Sequence, residues 1–341
     1  MSYMNTIFRA GTVALSLGIA ASAMADDIEL RHASYLPPEH FGTRLIIEPL
    51  IERIAEYTEG SVTVQNFPGG QLATAPGTLN AVSSGIANMG LIGVGYVGDS
   101  MPMSTIIELP GAFGDLAAGH AAYWQLIEDH LLEAEFLEND VRPIMLSLLP
   151  QTQIVLMGTP EINSLEDMAG LKIRVPHATA AEAIAAMGMV PVEMPISDLY
   201  LAMERGTVDG AVVLTASIPS YNLNEIAGSV TTNLAMGSIA FVTAIAESDW
   251  QALDPEQQEQ LMRAGMETGT ASVDTMLSVN GRAEGALEEG GMNLITLNEA
   301  TLAQIEEALA SIQEDWVESV AARNPAAAEI AAAYEALLAA Q

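Results

Sequence analysis

The sequence predicts an α/β protein of two lobes, and three observations carry that reading. Strand-like alternation and helix-like periodicity take turns along most of the chain, the pattern of largely parallel sheets covered by helices. The alternation restarts near Pro150, as two similar units would, although no residue-level repeat links them. About 316 residues remain once an N-terminal leader is set aside, a length that favours two lobes over one core.

Residues 1–25 read as an export signal. Arg9 is its only side-chain charge, residues 11–20 are apolar, and Ala23-Met-Ala25 precedes Asp26 as a cleavage site. The apolar run is shorter than the ~18 residues of a membrane span. Ile28-Glu-Leu-Arg-His-Ala33 alternates as a strand, and after Pro37-Pro38 a helical pattern covers 40–57 and closes at Gly60. Residues 61–67 alternate again, Pro68-Gly-Gly70 turns the chain, 76–84 is helical and 87–94 is an apolar strand. The second unit opens with strands at 154–157 and 171–175, separated by a helix start at Ser164-x-x-Asp167. A helix at 178–187, a strand at 190–194, a short helix at 197–205 stopped by Gly206 and a strand at 208–214 follow.

A strand at 238–246 leads to Asp254 and Pro255, the cap and first residue of a helix that ends at Gly290-Gly291. Such a helix is ~50 Å long and can bridge two lobes; Gly265, Gly269, Gly281 and Gly285 are expected to kink or break it. A strand at 292–296 and two Ala- and Glu-rich helices parted by Asn324-Pro325 complete the chain. The boundaries that result are 26–150 with 238–280 for the first lobe, and 151–237 with 281–341 for the second.

Forty-four acidic residues against eleven basic ones give a net charge of −33, or −34 once Arg9 leaves with the leader. Nucleic acid and anionic lipid are poor partners for such a surface. Concentrated salt would screen its self-repulsion, which points to a saline habitat. The absence of cysteine excludes disulfides, thiolate metal sites and Cys nucleophiles. Histidines 32, 40, 120, 130 and 177 show no paired ligand spacing, and no nucleophile elbow, zinc-protease or EF-hand signature occurs. Gly93-Val-Gly95-Tyr-Val-Gly98 has the letters of a dinucleotide fingerprint, but Asp99-Ser-Met-Pro102 stands where a helix would have to open, so a tight loop is expected. Asp209, in Val208-Asp-Gly-Ala211, reads as a strand-end turn residue rather than a general base. Neither catalytic residue, metal nor cofactor is expected.

The informative cations are Lys172, the only lysine, and Arg174, in Leu171-Lys-Ile-Arg-Val-Pro176. Strand alternation puts both on one face, and Pro176 ends the ladder so that Arg174 lies at the C-terminal edge, where open α/β sheets receive ligands. A guanidinium there can take a carboxylate through two parallel hydrogen bonds. The plain alternative is that both pair with surface acids.

Three stretches resemble the solute-binding subunits of tripartite ATP-independent periplasmic transporters, the TRAP family of DctP type. They are Ser164-Leu-Glu-Asp-Met-Ala-Gly-Leu-Lys-Ile-Arg-Val-Pro176, Met187-Gly-Met-Val-Pro-Val-Glu-Met-Pro195 and Ser197-Asp-Leu-Tyr-Leu-Ala-Met-Glu-Arg-Gly-Thr-Val-Asp-Gly210. Gly69-Gly-Gln-Leu72, Gly85-Ile-Ala-Asn-Met-Gly90 and Trp250-x-x-Leu253 extend the likeness over nearly all the mature chain.

The resemblance implies a periplasmic-binding-protein-like fold: two α/β lobes joined by crossing strands and a long helix, with the ligand cleft between them. It implies a periplasmic receptor that performs no chemistry and hands a small organic acid to the membrane subunits of an ion-coupled permease. Arg174 maps onto the family's carboxylate-binding arginine, while Lys172 faces elsewhere. Gln151-Thr-Gln153 stands where many members have a second arginine, and Ala211-Val-Val-Leu-Thr-Ala216 where many have Asn or Trp-Glu, departures that speak against sialic-acid-like and dicarboxylate ligands. Met194, Ile196, Val213 and Leu214 would then wall the pocket, Gln153, Thr215, Tyr35 or Tyr96 would read a hydroxyl or amide, and His40 and His177 are further candidate contacts. A binding protein of an ATP-driven importer and an exported lyase or hydrolase remain the alternatives.

Overall fold

The structure, a computed structural model, describes residues 27–341; the expected export signal lies outside them. The first sheet is built from β1 (Ile28–Ala33), β2 (Val62–Phe67), β3 (Met89–Gly93) and β4 (Val141–Leu148). The second contains β5 (Gln153–Leu156), β6 (Lys172–Val175), β7 (Val190–Glu193), β8 (Gly210–Val213) and β9 (Ser229–Thr231). β10 (Ala240–Ala246) returns to the first sheet and β11 (Asn293–Ile295) to the second. Their orders are β2-β1-β3-β10-β4 and β11-β9-β5-β8-β6-β7.

The alternating sequence pattern predicts mainly parallel strands. In each sheet a single strand runs against the others, β10 in the first and β5 in the second. Both opposed strands follow a passage of the chain from one sheet to the other, so the exceptions mark the crossings. The crossing segments bond to each other: Thr152 donates from its backbone N and its hydroxyl to Gly237 O, and Leu149 N donates to Ile239 O. Sequence reading missed β4, β9 and the helix Leu116–Leu126.

The long helix runs Pro255–Glu289 without interruption, and its N-terminus carries the capping box of Asp254 and Gln257. The break expected at its glycines does not occur, for a packing reason. A Cβ on Gly265 would lie 1.8 Å from Ile144 O, and one on Gly269 2.6 Å from Leu146 O, so these positions let the helix press on β4. At the other end Asn280 accepts from Ala216 N and Leu287 joins the core of Val155, Leu199 and Val213, which ties the helix to the second lobe.

Three helices, not two, end the chain: Glu299–Ala308, Ile312–Ala321 and Ala327–Ala339. Residues 309–311 contain neither Gly nor Pro; the turn there is tertiary in origin. Gln304 accepts from Leu165 N beside the second sheet, whereas Trp316 Nε1 donates to Thr105 and Tyr334 OH to Ala112 O. Those bonds rest the last two helices on the first lobe, whereas the boundaries read from the sequence place residues 312–341 with the second.

Two stability tests follow. Gly265→Ala should cost at least 1–3 kcal/mol by overpacking, whereas Gly281→Ala, with nothing within 4 Å, should gain about 0.4–1 kcal/mol; urea unfolding of both variants measures this. Burial holds His32 at about 4, below its usual 6.5. The folded protein leaves it neutral while the unfolded chain takes a proton near 6.5, so its contribution is intact above that pH and declines as the pH falls from 6.5 to 4. In His32→Gln the fall in stability between those values should shrink by about one bound proton, read from melts at a series of pH values.

Candidate binding site

Arg174 is 1% exposed, the one cation among the fully buried side chains of the described residues. Its strand explains this. β6 lies between β7 and β8, and the face shared by Lys172 and Arg174 is open at Lys172 but roofed by the first lobe at Arg174. Arg174 Nε donates to Met194 O at 2.9 Å, just past β7, and Nη1 to Val212 O at 3.3 Å, in β8. Nη2 donates across the cleft to the hydroxyl of Tyr96 at 3.1 Å. Three of the five N–H donors are thus engaged and two are free. No acid pairs with Arg174 among the described residues, and a buried cation so placed favours an anion.

The cavity beside the guanidinium takes walls from both lobes. Tyr35, Leu36, His40, Tyr96 and Phe241 come from the first; Arg174, Ile196, Val213, Leu214, Ser217 and Tyr221 come from the second. The space there, about 380 Å³ with its mouth included, leaves only about 20 Å³ for a water-sized molecule, too little for an organic ligand with the walls as they stand. Tyr35 meets Tyr96 and Phe241 edge to face, with ring centres 5.7 and 6.1 Å apart. His40 meets Tyr221 across the cleft at 5.6 Å. Burial lowers His40 to about 3, and its Nδ1 accepts from Gly42 N, so the neutral ring carries its proton on Nε2. Burial likewise raises the Tyr35 and Tyr221 phenols well above their usual value, leaving them neutral donors.

Of the nine residues singled out from the sequence, Arg174, Tyr35, His40, Tyr96, Ile196 and Val213 line this cavity; Gln153, His177 and Thr215 do not. Gln153 has both ends of its amide committed, its oxygen to Thr231 and Leu234 N and its nitrogen to Leu234 O. Thr215 is buried outside the lining. Met194 contributes its carbonyl rather than a wall. Tyr221, Phe241 and Ser217 were missed; Tyr221 follows a four-residue helix whose place against the first lobe no local pattern announces. Asp209 is structural, its carboxylate accepting from Lys172 N.

His177 sits behind the cavity. Its Nδ1 accepts from Ala180 N to cap the helix Ala178–Ala186, while its Nε2 lies 2.9 Å from Glu108 Oε2 of the first lobe, off the line of an ideal hydrogen bond. Glu108 Oε1 accepts from Ala240 N at the start of β10. Gly95 presses on this pair, since a Cβ there would lie 2.1 Å from Glu108 Oε2 and 2.3 Å from His177 Cδ2. The supposed fingerprint loop is therefore a glycine seat under an inter-lobe contact. A wider groove on the outer side of Tyr96, with about 780 Å³ of open space, is edged by Asp99, Glu182, Glu193 and Arg323; the arginine is paired with Asp99, and the net negative edge suits an anion poorly.

Two sheets closing from opposite sides on a buried, acid-free cation define a two-lobed solute receptor. The sequence profile of the bacterial extracellular solute-binding proteins, family 7 (DctP), matches residues 33–319, and the chain belongs to that family. The C4-dicarboxylate-binding periplasmic protein DctP of Rhodobacter capsulatus is 24% identical, over 95% of this chain and 96% of its own. A marine metagenome TRAP solute-binding protein in complex with 3-hydroxybenzoate superimposes with a TM-score of 0.84 at 19% identity, covering 92% of this chain and 98% of the other. One from Bordetella bronchiseptica with bound mandelate reaches 0.81 at 23% identity, over 91% and 98%. The chain is thus a solute-binding protein of the TRAP type, which favours that reading over the ATP-driven and enzymatic alternatives. No described helix is long and apolar enough to cross a membrane.

His177→Ala should leave Glu108 short of a partner when the lobes close. Ligand binding should weaken by roughly 5- to 100-fold, chiefly through faster dissociation, as stopped-flow kinetics would show.

Proposed function

We propose that Arg174 grips the carboxylate of the transported acid with its two free N–H groups while Tyr96 braces the guanidinium from the opposite lobe. The observation that carries this is a guanidinium buried to 1% with no acidic partner among the described residues. The named relatives bind acids with unlike bodies, a C4-dicarboxylate in one, 3-hydroxybenzoate and mandelate in others. Their common element is a carboxylate, which matches the single charged group lining this cavity.

Closure follows from differential contact. With the lobes apart, the ligand touches one wall; with them shut, it meets both, and only then does it bias the equilibrium. Water excluded from the shut cavity no longer screens the ion pair. The acidic surface opposes anion capture at long range, so the attraction acts locally.

Isothermal titration with acids selected by thermal shift tests the assignment. Arg174→Ala should lose about 2–5 kcal/mol of binding, and Arg174→Lys, which keeps the charge but not the fork, should recover only part of it. Unchanged affinity in Arg174→Ala would refute the role.

A further inference from the structure

Among the described residues, two fully buried hydroxyl groups lining the cavity have no protein partner: Tyr35 OH, from the turn after β1, and Tyr221 OH, after the helix Ser217–Ser220. They belong to opposite lobes and share one cavity wall with Arg174. A buried hydroxyl without a partner disfavours the state that buries it by roughly 5- to 100-fold, so closure is opposed twice unless the ligand supplies what the protein withholds. The proton on His40 Nε2 adds a third neutral donor on the same wall.

The charge inventory narrows the ligand further. Among the described residues, Arg174 is the only charged side chain lining the cavity. A second carboxylate would be buried without a cation, and an ammonium group without an acid; either costs more than the contacts nearby return. Apart from Tyr96 and Ser217 the rest of the wall is apolar, with Leu36, Leu149, Val213, Leu214, Ile239 and Phe241.

Building on the assignment of the carboxylate to Arg174, we infer that the physiological ligand is a monocarboxylate with an apolar body and one neutral hydroxyl or carbonyl group, which Tyr35 and Tyr221 read together from opposite lobes. The carboxylate secures the ligand to the second lobe; the neutral group rewards closure by satisfying a phenol on each side. Sites built to hydrogen-bond a substrate hydroxyl discriminate strongly against the analogue lacking it, because their own polar groups are then stranded. Tyr35 and Tyr221 are thus specificity-determining residues.

The test is calorimetric binding of three matched pairs, lactate with propionate, mandelate with phenylacetate and 3-hydroxybenzoate with benzoate, together with succinate. The proteins are the wild type, Tyr35→Phe, Tyr221→Phe and Arg174→Ala. At least one hydroxy acid should bind about 100-fold or more tightly than its partner, and succinate should bind no better than propionate. Each Phe substitution should shrink the hydroxy-to-deoxy ratio about 10-fold or more while leaving the deoxy acid's affinity equal or higher. Ligand-free melting supplies a second reading: removing an unpartnered hydroxyl should leave the melting temperature unchanged or raised. Ratios near one for every pair, ratios unaffected by both Phe variants, tight succinate binding, no hydroxy acid bound, or a lowered melting temperature in both variants would overturn the inference. If Arg174→Ala abolishes binding while the ratios stay flat, only this inference fails; if Arg174→Ala binds normally, the carboxylate assignment fails as well.

Discussion

One buried positive charge, with no negative partner among the described residues, organises this molecule. In a chain of 44 acids and 11 bases, a fully buried arginine that meets no carboxylate is an arrangement that random placement would not give. One backbone carbonyl of β8, another just past β7 and one phenol hold the guanidinium in place without neutralising it. The same side chain that anchors β6 to the strands beside it therefore holds two donors in reserve. Under the proposed function, the structural role of this residue and its binding role coincide.

The architecture serves to bring a second lobe to that charge. Each sheet has one strand running against the rest, and each opposed strand follows a crossing between lobes, so the connections are short and bonded to one another. The long helix adds a third tie, seated on β4 through two glycines that admit no side chain. Glu108 stands where these parts converge, bonded to β10 and close to His177, three residues beyond Arg174. Closing the cleft thus assembles the wall around the guanidinium and the contact behind it in one movement.

Much of this was legible in the sequence where a local signal exists. Pro176 fixed the end of β6, Asp254-Pro255 the start of the long helix, and period-2 alternation most of the strands. Arg174 stood out because its neighbours carry a family resemblance and because cations are scarce. What the sequence did not show are facts of tertiary contact. Gly265 and Gly269 look like helix breakers until β4 is beside them, and Leu309 to Ser311 holds neither Gly nor Pro although the chain turns there to reach Thr105. Tyr221 has no motif around it, and Gln153 and His177 were plausible ligands whose polar atoms the fold had already engaged. Polar residue type predicts the capacity to bind; only the surrounding structure shows whether that capacity is spent.

The most direct measurement is a crystal structure of the receptor closed on its copurified or tightest-binding acid. Both carboxylate oxygens should lie within about 3 Å of the Arg174 Nη atoms, with Tyr96 still bonded to the guanidinium. A ligand held with its carboxylate turned toward the outer groove, or a neutral compound occupying the cavity, would contradict it.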